Sequence, residues 1–215
     1  MNFAFAALMA SLLVSPIQTT PTASAPDGNV YLEMNGTRRQ LTRLGLDSDP
    51  VVSPNGQKVA FIRVVGRATE EGVPDFTSLL VHDLRTGQAS AFGGTMNNGR
   101  EIASFSNPVF SLDGGFIYVE VPEYATSNSV YQVNISTRAV RKVIDGNQTR
   151  VIRTGRYRGY LLVWRHQYYD APNFGSYEAA YVVRPDAKEL FEVRAARNNE
   201  AALEHWLSEN GYQAW

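Results

Sequence analysis

The chain has 215 residues, of which 44% are hydrophobic, and this length is enough for one all-β domain with a buried core. Its formal net charge is −1 and its 20 Lys and Arg residues are scattered. The sequence therefore lacks the basic stripe that a nucleic-acid or anionic-membrane surface requires. The absence of cysteine excludes disulfides, thiolate nucleophiles and zinc–thiolate sites.

The N-terminus carries an apolar stretch, from Phe3 to Val14, that is too short to span a bilayer as a helix, which needs about 20 residues. It suits the hydrophobic part of a secretory signal peptide, and Ala23-Ser24-Ala25 has the small-x-small pattern of a cleavage site. We predict a signal peptide over residues 1–25, a periplasmic or secreted location, and no membrane span in the mature chain. The alternative is an uncleaved apolar tail or a first core segment.

From residue 29 onward, short runs of Val, Ile, Phe and Tyr alternate with turn residues, and one segment repeats. Residues 49–62 align with residues 107–120, and a proline, a serine and a glycine recur at matching positions: Pro50 and Pro108, Ser53 and Ser111, Gly56 and Gly114. The serine can begin a turn, and the glycine supplies the positive φ with which the chain reverses. The repeat therefore predicts two equivalent hairpins.

A second hairpin follows in each unit. Its turn is Arg85-Thr86-Gly87 in the first unit and Ser136-Thr137-Arg138 in the second. Four short strands repeated at about 50 residues are typical of β-propeller blades.

Two motifs carry a resemblance to a known family. Residues 53–61 read Ser-Pro-Asn-Gly-x-x-Val-Ala-Phe. A later predicted strand ends in the motif Asp-Leu-x-Thr-Gly, which covers residues 83–87. This pattern resembles the WD40-like repeat of the TolB β-propeller, which also occurs in the propeller domains of prolyl-oligopeptidase-like peptidases. The resemblance covers residues 41–92 and 105–144 and is weak over 150–193. It implies a propeller fold, and a fold alone does not define an activity.

The flanking segments extend the pattern. Residues 29–42 resemble the outer two strands of a preceding unit. Residues 158–164 are predicted as inner strands of a last unit, whose outer hairpin covers residues 179–193. The fold class is therefore all-β: a partial or small β-propeller of three to four blade-like four-stranded units over residues 26–197.

The C-terminal segment, residues 198–215, predicts a short helix packed on this domain. Asn198 or Asn199 can cap its start and Gly211 its end, and Leu203, Trp206 and Leu207 share one face. We expect this face to cover a sheet at an open end of the stack; a docking helix for a partner is the alternative.

Catalytic and cofactor motifs are not evident. The three histidines, His82, His166 and His205, lie in separate segments without metal-ligand spacing, and we find no nucleotide-binding glycine loop. Asp47-Ser48-Asp49 is interpreted as a polar turn rather than a calcium loop. We predict no cofactor, no metal and no enzymatic activity. The alternative is a degenerate prolyl-oligopeptidase-like hydrolase relative that uses His166, Asp170 and Ser176.

The segment 164–177 combines aromatic residues, an arginine and a histidine, the residue types that are common in binding hot spots. We interpret it as an aromatic loop that binds a partner through the following side chains: Trp164, Arg165, His166, Tyr168, Tyr169 and Tyr177. The predicted function is a non-enzymatic exported TolB-like propeller module for protein–protein or cell-envelope interactions, without a nucleic-acid partner and able to form oligomers. Alternatives are a loop that shields the last unit and a small-molecule or glycan binder.

Overall fold

The computed structural model describes residues 20–69, 75–95, 101–102, 104–123, 127–188 and 190–214. Four antiparallel sheets follow one another along the chain, and consecutive strands pair within each of them. The first sheet has three strands: β1 (Thr22–Ser24), β2 (Tyr31–Met34) and β3 (Thr37–Gln40). The second has four: β4 (Asp47–Val52), β5 (Lys58–Gly66), β6 (Phe76–Asp83) and β7 (Ala89–Phe92).

A two-stranded ribbon, β8 (Gly94–Thr95) and β9 (Glu101–Ile102), leads to the remaining sheets. The third sheet contains β10 (Ser106–Phe110), β11 (Phe116–Pro122), β12 (Asn128–Asn134) and β13 (Val140–Asp145). The fourth contains β14 (Asn147–Val151), β15 (Leu161–Tyr168), β16 (Ser176–Val183) and β17 (Leu190–Glu192). A 3₁₀ turn (Arg194–Ala196) and helix α1 (Glu200–Glu209) follow. The predicted all-β fold of three to four blade-like units is confirmed.

The hairpin turn repeats as the sequence predicts. Gly56 N donates to Ser53 O (2.8 Å), and Gly114 N donates to Ser111 O (3.0 Å), with φ of 68° and 70° at the two glycines. The serine hydroxyl also accepts a bond from the first residue of the next strand, 2.9 Å from Lys58 N in one turn and 2.9 Å from Phe116 N in the other. The turn is thus closed by the same side chain in both units.

The sheets stack face to face through apolar clusters. One cluster joins the first and second sheets (Val30, Leu32, Val59, Phe61 and Leu80). A larger one joins the second and third sheets and includes Ile62, Leu79, Ile117 and Val119, and another joins the third and fourth through Val130, Val151, Leu161 and Val163. The central strands of the second, third and fourth sheets are therefore apolar on both faces, as expected for sheets covered on two sides. Among the described strands, none of the first sheet pairs with one of the fourth.

Helix α1 covers the outer face of the fourth sheet. Its Leu203 and Leu207 are buried in a cluster with Leu162, Trp164 and Val182 of the sheet. Asn199 caps the helix, because its side chain accepts a bond from Ala202 N at 2.9 Å. The predicted helix and its apolar face are thus confirmed. Within the described residues no helix is long and apolar enough to cross a membrane.

A bulge with one left-handed residue recurs in the first strand of three sheets. Asp49, Asn107 and Gln148 have φ of 50°, 46° and 53°, and the strand register shifts at each of them. The bulge turns this residue's side chain away from the regular alternation of the strand. The repeat therefore extends to the fourth sheet, where sequence similarity is weak.

Two sequence interpretations are corrected by these strands. The inner strand of the fourth sheet is β14, Asn147–Val151, whereas residues 153–160 form turns, so the prediction that Arg158 and Gly159 begin inner strands is wrong. Asp47 is not in a turn: it is buried in β4, and Arg63 Nε and Nη2 donate to its two carboxylate oxygens at 2.5 and 2.8 Å.

The predicted signal peptide is largely outside the described residues, because residues 1–19 are not described. Its last part overlaps β1, which pairs with β2 through Thr22↔Glu33 and Ser24↔Tyr31. Cleavage after Ala25 stays a prediction, and it would remove β1 from the first sheet.

Candidate functional site

The residues predicted to bind a partner lie on one β-hairpin, formed by β15 and β16. The segment 164–177 is therefore not a loop throughout, since only residues 169–175 lie outside the two strands. Successive side chains of a strand point to opposite faces, so the hairpin divides the predicted set. Trp164, His166 and Tyr168 lie on one face, and Arg165 lies on the other face with Tyr177, which pairs with Gln167.

The first face is partly buried. The indole of Trp164 packs in the cluster beneath α1, and its Nε1 is buried without a hydrogen-bond partner. His166 and Glu178 are cross-strand neighbours, with Nδ1 and Oε1 2.6 Å apart. The ring of Tyr168 meets the edge of the His166 ring, with centroids 5.0 Å apart. The exposure of the side chains on this face thus increases along β15, from the buried Trp164 to the exposed Tyr168.

The second face is held by arginine–aromatic contacts. The Arg165 guanidinium carbon lies 5.2 Å from the centre of the Tyr181 ring, and that of Arg197 lies 4.5 Å from the Tyr177 ring. Arg197 also binds the carboxylate of Glu192 and holds the pKa of that group below its usual value. Burial, with a smaller contribution from the Glu192 charge, raises the pKa of Tyr181. Arg165 and Tyr177 therefore belong to packed structure more than to a free surface.

The tip of the hairpin is the most exposed aromatic surface of the described chain. Phe174 is 96% exposed, Tyr168 73% and Tyr169 43%. Tyr169 packs on Tyr177 with ring centroids 4.8 Å apart, and Tyr169 N donates to Gly175 O at 3.2 Å, which closes the turn. Phe174 belongs to the predicted segment but not to the predicted binding residues, since its exposure depends on where the strands end.

The residues of the hydrolase alternative are not joined. His166 Nδ1 contacts Glu178, and no hydrogen bond among the described residues links it to Ser176 or Asp170. Ser176 lies opposite Tyr168 in the strand register. In the described part of the chain no three His, Cys, Asp or Glu side chains are placed to hold a metal ion.

A cavity that the sequence did not reveal lies at the base of this hairpin, with a volume of about 600 Å³. It is lined by side chains from β14, β15, β16 and the start of α1: Asn147, Gln148, Trp164, Glu178, Asn198, Asn199 and Glu200. A neighbouring cavity of about 390 Å³ shares Gln148 and Glu200 with it. These residues are far apart in sequence, so no local pattern predicts the cavity.

The neighbouring cavity contains a buried carboxylate, that of Glu120. Its Oε1 accepts bonds from Asn107 Nδ2 (2.7 Å) and Thr149 N (2.8 Å), and its Oε2 accepts one from Asn128 Nδ2 (3.2 Å). The bulge residue of the third sheet thus contacts the inner strand of the fourth through this group. Because its donors come from both the third and the fourth sheet, the carboxylate is a structural bridge between the two sheets.

No family model matches the chain, and no curated protein matches it. Solved structures do. The β-propeller domain of the trilobed protease from Pyrococcus furiosus, described as an open velcro propeller, is 14% identical with a TM-score of 0.52, over 80% of this chain and 51% of that one. The chain folds as part of a β-propeller.

Dipeptidyl peptidase 4 from Porphyromonas gingivalis is 11% identical with a TM-score of 0.56, over 82% of this chain and 32% of that one. TolB from Acinetobacter baumannii is 13% identical with a TM-score of 0.45, over 80% and 52%. The chain thus spans between about a third and about half of these structures. At such identities the likeness concerns the fold alone.

Proposed function

We propose that this chain is an exported, non-enzymatic binding module that presents the tip of the hairpin β15–β16 to another protein or an envelope component. The observation that carries the proposal is the exposure of Tyr168, Tyr169 and Phe174 together at one ordered turn. Aromatic side chains that are exposed in the free protein lose their contact with water when a partner covers them, and such residues dominate the binding energy of many interfaces.

The support for a binding role is local. The tip is held in place by the Tyr169–Tyr177 ring contact and by the Arg197–Tyr177 contact behind it. An aromatic group on a rigid base binds with little loss of conformational entropy. Tyr168 and Phe174 therefore have the properties of anchor residues, whereas Trp164 and Arg165 support the hairpin from below.

Site-specific photo-cross-linking tests this proposal. A photoreactive phenylalanine analogue replaces Phe174, and a matched control replaces Lys188, which is exposed in the turn at the other end of the same sheet. In cells that produce the chain, we expect one discrete adduct from position 174 and none from position 188. The adduct should disappear when Tyr168→Ala and Tyr169→Ala are added. Equal labelling from both positions, or none from either, would refute the proposal.

The non-enzymatic part is tested separately. The purified chain is incubated with aminoacyl and peptidyl ester and amide substrates, beside the variant His166→Ala. We expect no turnover above the buffer rate. Turnover that disappears in His166→Ala would identify a hydrolase instead.

Export is tested by fractionation of producing cells and N-terminal sequencing of the exported product. We expect the chain outside the cytoplasm and lacking the apolar stretch 3–14. A full-length product that stays in the cytoplasm would contradict export.

A further inference from the structure

The larger cavity has an unusual set of hydrogen-bonding groups. Three carboxamide oxygens at its wall are already occupied by backbone N–H groups: Asn147 Oδ1 by Asn128 N (2.9 Å), Asn198 Oδ1 by Glu178 N (2.7 Å) and Asn199 Oδ1 by Ala202 N (2.9 Å). These bonds fix the orientation of each side chain. Each carboxamide therefore retains an NH₂ group with two donors.

The wall has acceptors as well. The carboxylates of Glu178 and Glu200 line the same cavity, and Glu200 makes no ion pair with a described residue. Glu178 shares one oxygen with His166 and keeps the other. Donors and acceptors thus line one volume together, and the acceptors are charged.

Buried donors without partners form a second, independent observation. Trp164 is 7% exposed and lines the larger cavity, and Thr149 is 2% exposed and lines the neighbouring one. Neither Trp164 Nε1 nor Thr149 Oγ1 has a hydrogen-bond partner, and Arg150 Nη2 lacks one too. A buried polar group without a partner costs about 1–3 kcal/mol, so the walls of the two cavities give up stability that a purely structural region would keep.

The charges select the class of ligand. Two carboxylates in the wall repel an anion and attract a cation, but the three carboxamide NH₂ groups beside them are donors, which a simple cation cannot use. A hydroxyl group donates one hydrogen bond and accepts others, and so it matches a wall that holds both kinds of group. The volume of about 600 Å³ lies within the usual range of small-ligand sites, about 300–1,000 Å³.

We infer that this cavity binds a neutral, hydroxyl-rich ligand, a sugar unit, with Glu178 and Glu200 accepting from its hydroxyls and Asn147, Asn198 and Asn199 donating to them. The sugar can be free or part of a glycan polymer. The site uses residues other than the hairpin tip, so it stands or falls independently of the proposed function.

Nuclear magnetic resonance of the indole N–H groups tests the inference. The chain, labelled with ¹⁵N-tryptophan, is titrated with N-acetylglucosamine and with glucose, each also as its β-1,4-linked tetramer. We expect a saturable shift of the Trp164 resonance, while Trp206, on the helix, serves as internal reference. If a tetramer saturates the shift at a lower concentration than its monomer does, the site binds a glycan polymer. If both saturate it at the same concentration, the site binds a free sugar.

A matched pair of variants locates the site. Glu200 and Glu209 are exposed at opposite ends of α1, so neither substitution should disturb the core. Glu200→Gln should weaken sugar binding about tenfold, because a charge-assisted hydrogen bond is lost, and Glu209→Gln should not. No shift of Trp164 with any of the four sugars would overturn the inference. An equal shift with lysine methyl ester or citrate, or an equal effect of both variants, would do so too.

Discussion

The serine of the repeated turn is the residue that ties sequence to fold most directly. Ser111 is buried, and its hydroxyl accepts a bond from Phe116 N and lies 2.6 Å from Asp113 Oδ1. The two bonds fix both sides of the hairpin. Ser53 makes the equivalent contacts with Lys58 and Asn55. The repeated sequence pattern is thus a repeated set of hydrogen bonds.

Ser111→Ala should lower the free energy of unfolding by about 1–2 kcal/mol, because the partly buried backbone N–H of Phe116 loses its partner. Urea unfolding followed by circular dichroism measures the change. The control is Ser136→Ala, at an exposed turn serine whose hydroxyl makes no recorded bond, and we expect it to stay within about 0.5 kcal/mol of the wild type. Equal losses in both variants would contradict the role of the turn hydroxyl.

A cluster of ionisable residues at the edge of the third sheet determines a pH dependence. Burial raises the pKa of Glu123, but hydrogen bonds from Lys142 and Tyr131 outweigh burial, and the pKa lies below its usual value. Lys142 Nζ lies 2.5 Å from Glu123 Oε2 and 2.7 Å from Asp145 Oδ1. Burial and the bond to Glu123 raise the pKa of Tyr131 to about 12.

A carboxylate whose pKa is lowered by folding contributes stability above its unfolded pKa and loses it as the pH falls through the folded value. We therefore expect stability to decrease below about pH 4.5, and Glu123→Gln to reduce this decrease by about 1–2 kcal/mol. Urea unfolding between about pH 6 and about pH 3 measures how the free energy of unfolding changes with pH. The control is Glu33→Gln, which removes an exposed carboxylate of β2 that makes no ion pair with a described residue; this variant should retain the difference from Glu123→Gln that the wild type shows. The prediction fails if Glu123→Gln follows the wild-type curve.

At the scale of the element, helix α1 is an end cover. Its Leu203 is fully buried against the fourth sheet, whereas His205 on the same helix has a side chain that is 73% exposed. The helix is short, so most of its stability must come from this packing.

Leu203→Ala should therefore cost about 2–5 kcal/mol in the free energy of unfolding, and it should increase cleavage by trypsin near Arg194 and Arg197. Limited proteolysis with mass spectrometry, beside urea unfolding, tests both effects. His205→Ala should change neither. If Leu203→Ala leaves the cleavage rate unchanged, the helix does not depend on this contact.

The sequence predicts some elements and not others for identifiable reasons. The second and third sheets are predictable because their turns use Ser, Asn or Asp, and Gly at fixed spacing, and α1 because Asn199 caps an apolar face. Strand β14 reads Asn-Gln-Thr-Arg-Val, which has no strand pattern of its own; its place follows from pairing with β15. The tip is predictable from its aromatic residues, whereas the cavity needs Asn147 and Asn198 together, which only the tertiary fold provides.

At the scale of the whole molecule, the described sheets form an open stack in which each of these apolar clusters joins two sheets that are neighbours along the chain. The second and third sheets are covered on both faces, while the first contributes to one cluster only, and Met34 at the end of its central strand is 47% exposed. Stability in such stacks is approximately the sum of units and of nearest-neighbour interfaces.

Amide hydrogen exchange should therefore be graded along the stack, and not uniform. We expect peptides from β2 and β3 to exchange faster than peptides from β11 and β12, since one interface holds the first sheet and two hold the third. Exchange followed by peptide mass spectrometry at neutral pH measures the order. Coincident exchange of both regions would show that the stack opens as one cooperative unit.

The recurring bulge has a consequence for how such a protein diversifies. Asp49, Asn107 and Gln148 share one backbone conformation but differ in their contacts: Asp49 accepts from Ser48, Asn107 reaches Glu120, and Gln148 lines the cavity. The side chain at this position lies outside the regular strand ladder, so its identity is constrained by the local surroundings rather than by the strand. Substitution of Gln148 can therefore change what the cavity recognises while the framework persists, whereas Asn107 is bound to the buried Glu120 and holds two sheets together. One backbone position thus serves recognition in one sheet and structure in another.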